Sequence, residues 1–524
     1  MSPAEHGDGA TTVESPRPTV SSRGSIERSG VRQGPLAGRY PAAAAMVVLA
    51  LVPYLVLSAA LGSIGPIIAG QLHMSAQAMS LSSGMANAGY AAGTVLALQL
   101  AQILPQRRML VSYAVLLVIG SVLAAAARNP AMFIAGHILQ GLCTSLLLIA
   151  AAPAVFLGYP PDKLRWTAII FNMCVFGAVA LGPTIGGIQA QADAWRPLFW
   201  VLAGIAVAAL ALAVLTFEDA PPADPDGCRD PLALGLATAG CAAGFFGASE
   251  LLTHPFIAPI TLAPLAGGVA LIVLLLVLEY RGVCVLLQVR PLVSTVPVSG
   301  ITAALCAAAA SVAAVTISGT LLHGRFSPLH LGLLYLPEFG GAVITAVVFG
   351  LVFRTRLIHY LVLGGIVVLS AGILVVNTTL PPTQAVTLAG SALIGLGVGA
   401  AVTPALFLIG FSLRSASIQR VFAIVELLRA VAAFMVAPVL LHVAVTTGGS
   451  VTAGSKTALW VSFGIAVAGG LVGVTLYALG RMRPTGPTLE RWFGGQEPAW
   501  DSPPLLDGVR GAQGPPTVPE QARA

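Results

Sequence analysis

Long apolar stretches separated by short polar breaks dominate this chain from residue 40 to residue 480. Between Tyr40 and Gln106 there is no Asp, Glu, Lys or Arg, and this run is too long for one membrane span. The polar break Gly70-Gln71-Leu72-His73 divides it into two. A second run, Leu357 to Leu413, divides at Thr379-Leu380-Pro381-Pro382. The pattern predicts helices, because backbone polar groups in hydrocarbon must be satisfied internally.

Fourteen membrane-spanning helices follow from the charge-poor runs, so the predicted fold class is all-α and polytopic. The predicted spans are 44–69, 79–103, 109–127, 131–157, 167–188, 197–217, 232–252, 259–280, 295–320, 331–353, 357–377, 385–411, 418–445 and 457–480. Six of these helices lie within 41–217, two follow a linker within 218–290, and six lie within 291–480. The polar ends, 1–40 and 481–524, are predicted to be disordered.

Composition agrees with a chain whose main solvent is lipid. Hydrophobic residues make up 56% and charged residues 9%, whereas soluble domains carry about 25% charged residues. Mean hydropathy is +0.89. These values exclude a soluble enzyme, a disordered protein and a coiled coil. The net charge of +6 comes from scattered basic residues, which predicts no nucleic-acid binding, and the six cysteines have no metal or disulfide spacing.

The distribution of basic residues predicts how the chain is oriented. With the adjoining helix turns included, loops after even-numbered helices hold eleven Arg or Lys residues and loops after odd-numbered helices hold four. Basic residues of short loops concentrate on the cytoplasmic side. The sequence therefore predicts a multi-pass protein of the cell (inner) membrane with both termini in the cytoplasm. Two pairs of these arginines occupy corresponding loops of the two halves and are candidate gating residues: Arg107 and Arg108, and Arg354 and Arg356.

The fifth predicted helix carries a cluster of small residues around a proline, Gly182-Pro183-Thr184-Ile185-Gly186-Gly187. Small residues let helices approach closely, and proline with flanking glycine makes a bendable point. Composition alone leaves open whether the cluster serves tight packing or movement. Gly182, Pro183, Gly186 and Gly187 are its candidate functional positions.

This stretch resembles the antiporter motif GPxxGG of the major facilitator superfamily, found in the fifth helix of exporters. Trp195-Arg196-Pro197-Leu198-Phe199-Trp200, Asp230-Pro231-Leu232-Ala233-Leu234-Gly235 and Leu331-Gly332-Leu333-Leu334-Tyr335-Leu336-Pro337 stand where that family has similar elements. With fourteen spans, the chain resembles the fourteen-helix drug:proton antiporter group over about residues 44–480. The resemblance implies two six-helix bundles with an inserted hairpin, and export driven by a proton gradient.

The chain departs from that group at positions where the group carries charges. The loop between helices 2 and 3 has Gln102 in the aspartate position and Pro105 in a glycine position, although the basic pair Arg107-Arg108 is kept. Leu57 fills the aspartate place of the first helix, and His137 fills the arginine place of the fourth. These departures bear directly on how transport would be coupled to protons.

Ionisable residues inside predicted spans are candidates for proton coupling, because a charge in hydrocarbon needs a partner or a water-filled cavity. Glu338 follows Pro337 and lies one to two turns from the predicted outer end of its helix. It could carry a proton, or it could be an acid at a helix end that water reaches. Glu426 and Arg429 lie three residues apart on one helix face. They could take part in proton coupling, or their opposite charges could simply neutralise each other inside the membrane. His137 could carry a proton or be a packing residue.

Five polar or aromatic residues on the central helices are candidates for lining a substrate pocket: Asn87, Tyr90, Gln140, Asn172 and Phe176. Packing or hydrogen bonding between helices is the alternative for each. A pocket with few charges suits lipophilic or amphipathic molecules. The predicted partners are a small-molecule substrate, protons and the bilayer, with no obligatory protein partner.

The sequence thus predicts a secondary active transporter that works by alternating access. It has no GxxxxGK[ST] segment to support nucleotide-driven pumping and no constellation typical of an enzyme, so no catalytic residue, cofactor or metal site is predicted. The alternatives are an exporter of metabolites with the same fold, and a scaffold or sensor that kept the fold without transporting. The missing carboxylates at Leu57 and Gln102 favour the last of these.

Overall fold

The computed structural model describes residues 34–217, 229–282, 285–495 and 497–505. Within these ranges the chain is helical, and its β-type pairing is limited to an isolated antiparallel bridge between Ser294 and Pro504. The predicted all-α class is confirmed. Most of the predicted tail 1–40 and residues 218–228 of the predicted linker lie outside the described ranges.

Fourteen long helices, labelled α1 to α14 in chain order, overlap the fourteen predicted spans. Their bounds are α1 Tyr40–Gln71, α2 Ala76–Ala101, α3 Gln106–Ala125, α4 Pro130–Leu157, α5 Pro161–Gln191, α6 Arg196–Thr216, α7 Pro231–Glu250, α8 Pro259–Arg281, α9 Thr295–Leu322, α10 Pro328–Val352, α11 Leu357–Thr378, α12 Gln384–Phe411, α13 Ile418–Thr446 and α14 Val451–Leu479. Among the described residues, thirteen helices are apolar enough to cross a bilayer by composition. The remaining one, α2, has 26 residues and no Asp, Glu, Lys or Arg.

Short polar residues fix where several of these helices begin. The side chains of Ser75, Asn129 and Thr383 each accept a hydrogen bond from a backbone N–H in the first turn of the helix that follows. Asp230 and Ser450 do the same for α7 and α14. Such caps satisfy backbone donors that have no partner inside the helix. The polar breaks in the sequence therefore double as helix start signals.

The helices form two bundles, α1–α6 and α9–α14, with the same pattern of packing in each. In the first bundle α1 packs on α5 and α6, and α4 packs on α2 and α3. In the second, α9 packs on α13 and α14, and α12 packs on α10 and α11. Adding eight to each helix number converts one set of contacts into the other. The two bundles meet through α2 with α13 and through α5 with α10. These two pairs are equivalent when each helix is exchanged for its counterpart in the other bundle, α2 for α10 and α13 for α5.

The inserted hairpin of α7 and α8 lies against the seam between α2 and α13. Its two helices approach closely at glycines: a Cβ on Gly247 would lie 2.6 Å from the Leu265 amide nitrogen. The Gln77 side chain on α2 donates to both carboxylate oxygens of Glu250, at 3.0 and 2.8 Å. The ring of His442 on α13 lies 2.8 Å from the Leu251 carbonyl oxygen. The hairpin thereby contacts both bundles.

Large apolar side chains cover the outward surfaces of the peripheral helices. Val207 on α6, Val269 and Val273 on α8, Val367 on α11 and Leu471 on α14 are all exposed. An apolar surface of this extent is stable only in contact with lipid. We call the side of the molecule where α1 begins and α14 ends the terminal face, and the opposite side the distal face.

The segment after α14 is packed, so the prediction of a disordered tail from residue 481 is wrong for residues 481–495 and 497–505. A short helix, α15 (Leu489–Phe493), carries Trp492 with no exposed surface. Trp500 is also buried. We call residues 481–495 and 497–505 the C-terminal strap. The segment is polar overall, but its two indole rings are buried against the second bundle and supply a large apolar contact area.

The strap also provides hydrogen bonds to helix ends on the terminal face. The Trp492 Nε1 donates to the Leu413 carbonyl at 3.0 Å, and the Ala499 amide donates to the Phe411 carbonyl at 2.7 Å. At the start of α9, the Val296 amide donates to the Ser502 hydroxyl at 2.9 Å. These are terminal backbone groups that have no partner within their own helices. The strap therefore caps α9 and α12 together.

Removing the buried indole of the strap should destabilise the protein, whereas removing an exposed one should not. Trp492→Ala is expected to lower the free energy of unfolding by about 3–5 kcal/mol, because it leaves a large cavity. Trp460→Ala on α14, where the side chain is 50% exposed, should change it by less than about 1 kcal/mol. Thermal unfolding of both variants in detergent measures the difference. Equal midpoints for the two variants would show that the strap is not packed in solution.

Candidate functional site

A cavity of about 630 Å³ lies between the two bundles. Residues from α1, α2, α5, α9, α10, α12 and α13 line it, so both bundles contribute. Its walls are mostly small or apolar, with hydroxyl groups from Ser58, Ser63 and Ser311. The strongly polar side chains at its wall are those of Asn87, His323, Tyr335, Glu338 and Arg429. A pocket of this size accepts a drug-sized molecule.

The cavity opens toward the distal face. Gly62 and Pro66 on α1, together with Thr320 and His323 at the end of α9, line it and are exposed. Deeper lining residues such as Glu338 and Ala342 are buried. The distal ends of α1 and α9 therefore form the two sides of the entrance.

Five phenylalanines from both bundles close the cavity on the terminal side. The ring centroid of Phe156 on α4 lies 4.9 Å from that of Phe171 on α5, 5.2 Å from that of Phe407 on α12 and 5.3 Å from that of Phe422 on α13. Phe349 on α10 lies 5.0 Å from Phe407. Aromatic pairs at these distances attract each other beyond simple burial. We call these five residues the aromatic plug.

Polar contacts between the bundles reinforce the plug at the terminal face. The guanidinium of Arg354 donates to the Pro161 carbonyl at 2.6 Å, and the Gln419 amide donates to the Ile149 carbonyl at 3.3 Å. Arg107 instead donates to Val214 within its own bundle, at 3.2 Å. Arg108 and Arg356 are exposed. Of the four predicted gating arginines, Arg354 is thus the one that forms a hydrogen bond between the two bundles.

Glu338 is a buried carboxyl group at the cavity wall. It is 8% exposed, and its side chain forms no hydrogen bond or ion pair with another described residue. It lies ten residues into α10, about 15 Å from the distal end of that helix, which is deeper than the predicted one to two turns because α10 begins at Pro328. A Cβ on Gly395 would lie 2.7 Å from the Glu338 Cα, so α12 packs directly behind this residue.

Glu426 and Arg429 form a buried ion pair on α13. The Arg429 Nε donates to Glu426 Oε2 at 2.9 Å, and its Nη2 donates to Oε1. The Tyr90 hydroxyl on α2 donates to Glu426 Oε1 at 2.6 Å. The pair therefore neutralises itself, as one of the two interpretations of the sequence holds, and Tyr90 ties it to the first bundle. Arg429 also reaches the cavity wall.

A chain of rings continues from Tyr90 to His137. Tyr54 on α1 stacks on Tyr90 with ring centroids 5.8 Å apart, and its hydroxyl donates to the Asn87 side chain at 2.9 Å. The ring of His137 lies 5.8 Å from that of Tyr54. His137 Nδ1 lies 3.4 Å from the Gln140 side-chain oxygen. The His137 side chain is 1% exposed. Its contacts are those of a histidine that packs between helices and has a hydrogen-bond partner there.

The glycines of the α5 motif sit at close helix contacts. A Cβ on Gly182 would lie 2.7 Å from the Val56 carbonyl oxygen, and one on Gly186 would lie 2.6 Å from that of Ala60, both on α1. A Cβ on Gly187 would lie 2.5 Å from the Pro328 carbonyl oxygen on α10. Pro183 lines the cavity. The motif therefore brings α5 against helices of both bundles.

Two of the five predicted lining residues, Asn87 and Phe176, do line the cavity. The other three do not line this cavity, and their buried side chains are hydrogen-bonded between helices. Tyr90 binds Glu426, and Gln140 donates to the Ser121 hydroxyl at 3.2 Å. Asn172 binds α12. Polarity on a central helix identified groups that need a partner, but the partner in these cases is protein.

Sequence reasoning missed Tyr54 and Tyr335. Tyr335 lines the cavity one turn before Glu338, and its hydroxyl lies 2.8 Å from the Ser318 hydroxyl on α9. Its position in the segment Leu331–Pro337, which the sequence singled out as a motif, was an available signal. Tyr54 carried no such signal, because its role depends on contacts with residues more than 30 positions away.

Comparison with known proteins identifies the family. A profile described as the Major Facilitator Superfamily matches residues 46–437. Since this match covers most of the chain, the protein belongs to the major facilitator superfamily, a family of membrane transporters.

Individual relatives match over shorter stretches. The chain is 28% identical over 326 residues to a probable actinorhodin transporter of Streptomyces coelicolor, covering 57% of this chain and 54% of that one. It is 27% identical over 167 residues to the multidrug resistance protein MdtL of Escherichia coli, covering 32% of this chain and 42% of MdtL. It is 31% identical over 147 residues to the uncharacterized transporter YgaY of Escherichia coli O157:H7, covering 28% of this chain and 37% of that one. The chain thus spans about a third to a half of these relatives.

A solved structure shows the same fold. The human organic anion transporter MFSD10 (TETRAN) superposes with a TM-score of 0.57 at 14% identity, covering 84% of this chain and 100% of that one. At this identity the match concerns the fold alone.

Alanine at two helical glycines should have opposite effects. Gly186→Ala is expected to destabilise the protein by about 1–3 kcal/mol, because its Cβ meets the α1 backbone. Gly204→Ala on α6, where nothing lies within 4 Å of a Cβ, should stabilise it by up to about 1 kcal/mol through helix propensity. Thermal unfolding midpoints of the two variants measure this. Shifts of the same sign and size would contradict the close α5–α1 contact.

Proposed function

We propose that this protein is a proton-coupled exporter of lipophilic or amphipathic small molecules that works by alternating access. In this proposal the terminal face is cytoplasmic, both termini are in the cytoplasm, and the protein resides in the cell (inner) membrane. Three features support it: a cavity shared by two similar bundles, mostly apolar walls, and relatives whose names describe drug and antibiotic transport.

The observation that carries the proposal is the unpartnered Glu338 at the cavity wall. A carboxylate at this depth is costly unless it binds a proton or a counter-charge. Water reaches Glu338 through the cavity from the distal face, so the group can accept a proton there. A substrate bearing a positive or hydrogen-bond-donating group would then compete with that proton for the same oxygens. Such competition couples the two flows in opposite directions.

Movement of one bundle against the other would carry the cavity to the terminal face. Near the terminal face, the contacts that must separate include the aromatic plug, the Arg354–Pro161 hydrogen bond and the Gln419–Ile149 hydrogen bond. Each is exposed to competition from water or is a modest apolar contact.

Glu426 and Arg429 fit a supporting role better than proton transfer in this scheme. Their charges cancel within α13, and Tyr90 completes the coordination of the carboxylate. Protonating Glu426 would leave Arg429 as an uncompensated charge at the cavity wall, at a high cost.

Metabolite export is the second candidate function. The longest of the three alignments above is with the probable actinorhodin transporter, at 326 residues, and its name describes the transport of one compound rather than of many drugs. A substrate panel that contains both drugs and endogenous secondary metabolites distinguishes the two.

Replacing Glu338 by Gln should abolish coupling to protons while the protein remains inserted. In everted vesicles, wild-type uptake of at least one compound from a lipophilic panel is expected to stop when an uncoupler is added. Glu338→Gln should reduce this uncoupler-sensitive uptake by about tenfold or more, because an amide does not titrate. The residual uptake should also lose its dependence on pH.

Glu490→Gln, in the exposed first turn of α15, is the matched control and should retain uptake. Wild-type uptake that ignores the uncoupler across the whole panel would refute proton-coupled export. Unchanged coupled uptake in Glu338→Gln would refute the role of this residue.

A further inference from the structure

Helix α5 contains a π-helical turn, Met173–Gly177, next to the cavity. The Ala178 amide donates to the Met173 carbonyl, five residues earlier, instead of the usual four. Turns of this kind are rare and occur mostly at functional sites. Val175 and Phe176, both within the turn, form part of the cavity wall. The wide turn therefore faces the space that a substrate would occupy.

Asn172 immediately precedes this turn and bonds to the other bundle. Its Nδ2 donates to the Gly399 carbonyl on α12 at 3.2 Å, and its Oδ1 accepts from the Thr403 hydroxyl at 3.0 Å. Asn172 has no exposed surface and Thr403 is 2% exposed. We call these two hydrogen bonds the latch. The Nδ2 and Oδ1 atoms of Asn172 both form their hydrogen bonds with α12. If the bundles separate at this level, the side-chain amide of Asn172 is therefore left without partners.

We propose that the π turn couples the position of Phe176 at the cavity wall to the two hydrogen bonds of the latch. A movement of Phe176 then changes how readily the two bundles separate at the terminal face. The inference rests on the proposed alternating access. Rewinding a π turn into regular α-helix rotates the preceding part of the helix by about 100° relative to the following part. Asn172 immediately precedes the turn, and Phe176 lies within it. Relaxation at Phe176 therefore carries Asn172 away from Gly399 and Thr403.

A flexible side chain, that of Met173, lies against the π turn at Gly177. The helix has no side chain at Gly177, where a Cβ would lie 2.6 Å from the Met173 methyl and 3.5 Å from the Phe339 ring on α10. The Met173 side chain therefore occupies the space beside Gly177 in the wide turn. An unbranched, flexible side chain of this kind adapts when the backbone beside it changes.

Distances between spin labels on the two bundles test the inference. Labels at Arg108→Cys and Arg356→Cys, both exposed on the terminal face, are introduced into the full chain after its native cysteines are replaced. Asn172→Ala should raise the fraction of molecules with the longer, open distance by about five- to tenfold, since two hydrogen bonds are lost. Thr403→Val should raise it by about threefold, and Thr403→Ser, which keeps the hydroxyl, should match the unmodified protein.

A matched control separates the latch from a general loss of stability. Thr144 on α4 is equally buried, but its hydroxyl bonds to the Gln140 carbonyl of its own helix at 2.9 Å. Thr144→Val should leave the open fraction unchanged. Open fractions for Asn172→Ala and Thr403→Val equal to that of Thr144→Val would overturn the latch.

A double-mutant cycle tests the link between the turn and the latch. Phe176→Ala should change the open fraction by about twofold or more when Asn172 is present, and not when Asn172 is replaced by Ala. Additive effects would overturn the transmission. If the unmodified protein never shows an open distance at any pH, the proposed alternating access fails instead. If it opens and the latch variants behave like Thr144→Val, the latch inference alone fails.

Discussion

Hydrocarbon does not solvate charge, and this constraint decides where each ionisable group in the membrane part of this protein can lie. A buried carboxylate needs a cation, several donors or access to water. Glu426 has Arg429 and Tyr90, and Glu250 has Gln77 with His254 at 3.1 Å. Glu338 has the cavity. The same rule that removes charges from most of the chain thus concentrates the remaining ones where helices of different bundles meet or where water enters.

The two bundles share a packing pattern but differ in the side chains that they contribute to the centre of the protein. The second bundle supplies the charges Glu338, Glu426 and Arg429. The first supplies close-packing glycines on α5 and the rings of Tyr54 and Tyr90. Leu57 and Gln102 stand in the first half where the resemblance to the drug:proton antiporter group leads us to expect acids. The acid at the cavity wall belongs to α10.

Much of the fold could be predicted from the sequence because the physical signals are local. Charge-free length gives the spans, and capping residues such as Ser75 and Asn129 give their starts. The strap could not be predicted, since its polar composition hides two tryptophans whose burial depends on a distant surface. The partners of Tyr90 and Asn172 lie more than 200 residues away, and periodicity does not say which helices meet. The π turn leaves no mark in composition at all.

Alternating access is the central claim, and paired distances at the two faces test it most directly. Spin labels at Ala76 and Ala385, both exposed at the distal ends of α2 and α12, report on the distal opening, and labels at Arg108 and Arg356 report on the terminal face. When pH is changed to protonate or deprotonate the cavity acid, the account predicts that one distance lengthens as the other shortens. Distances that stay fixed, or that lengthen together at both faces, would contradict it.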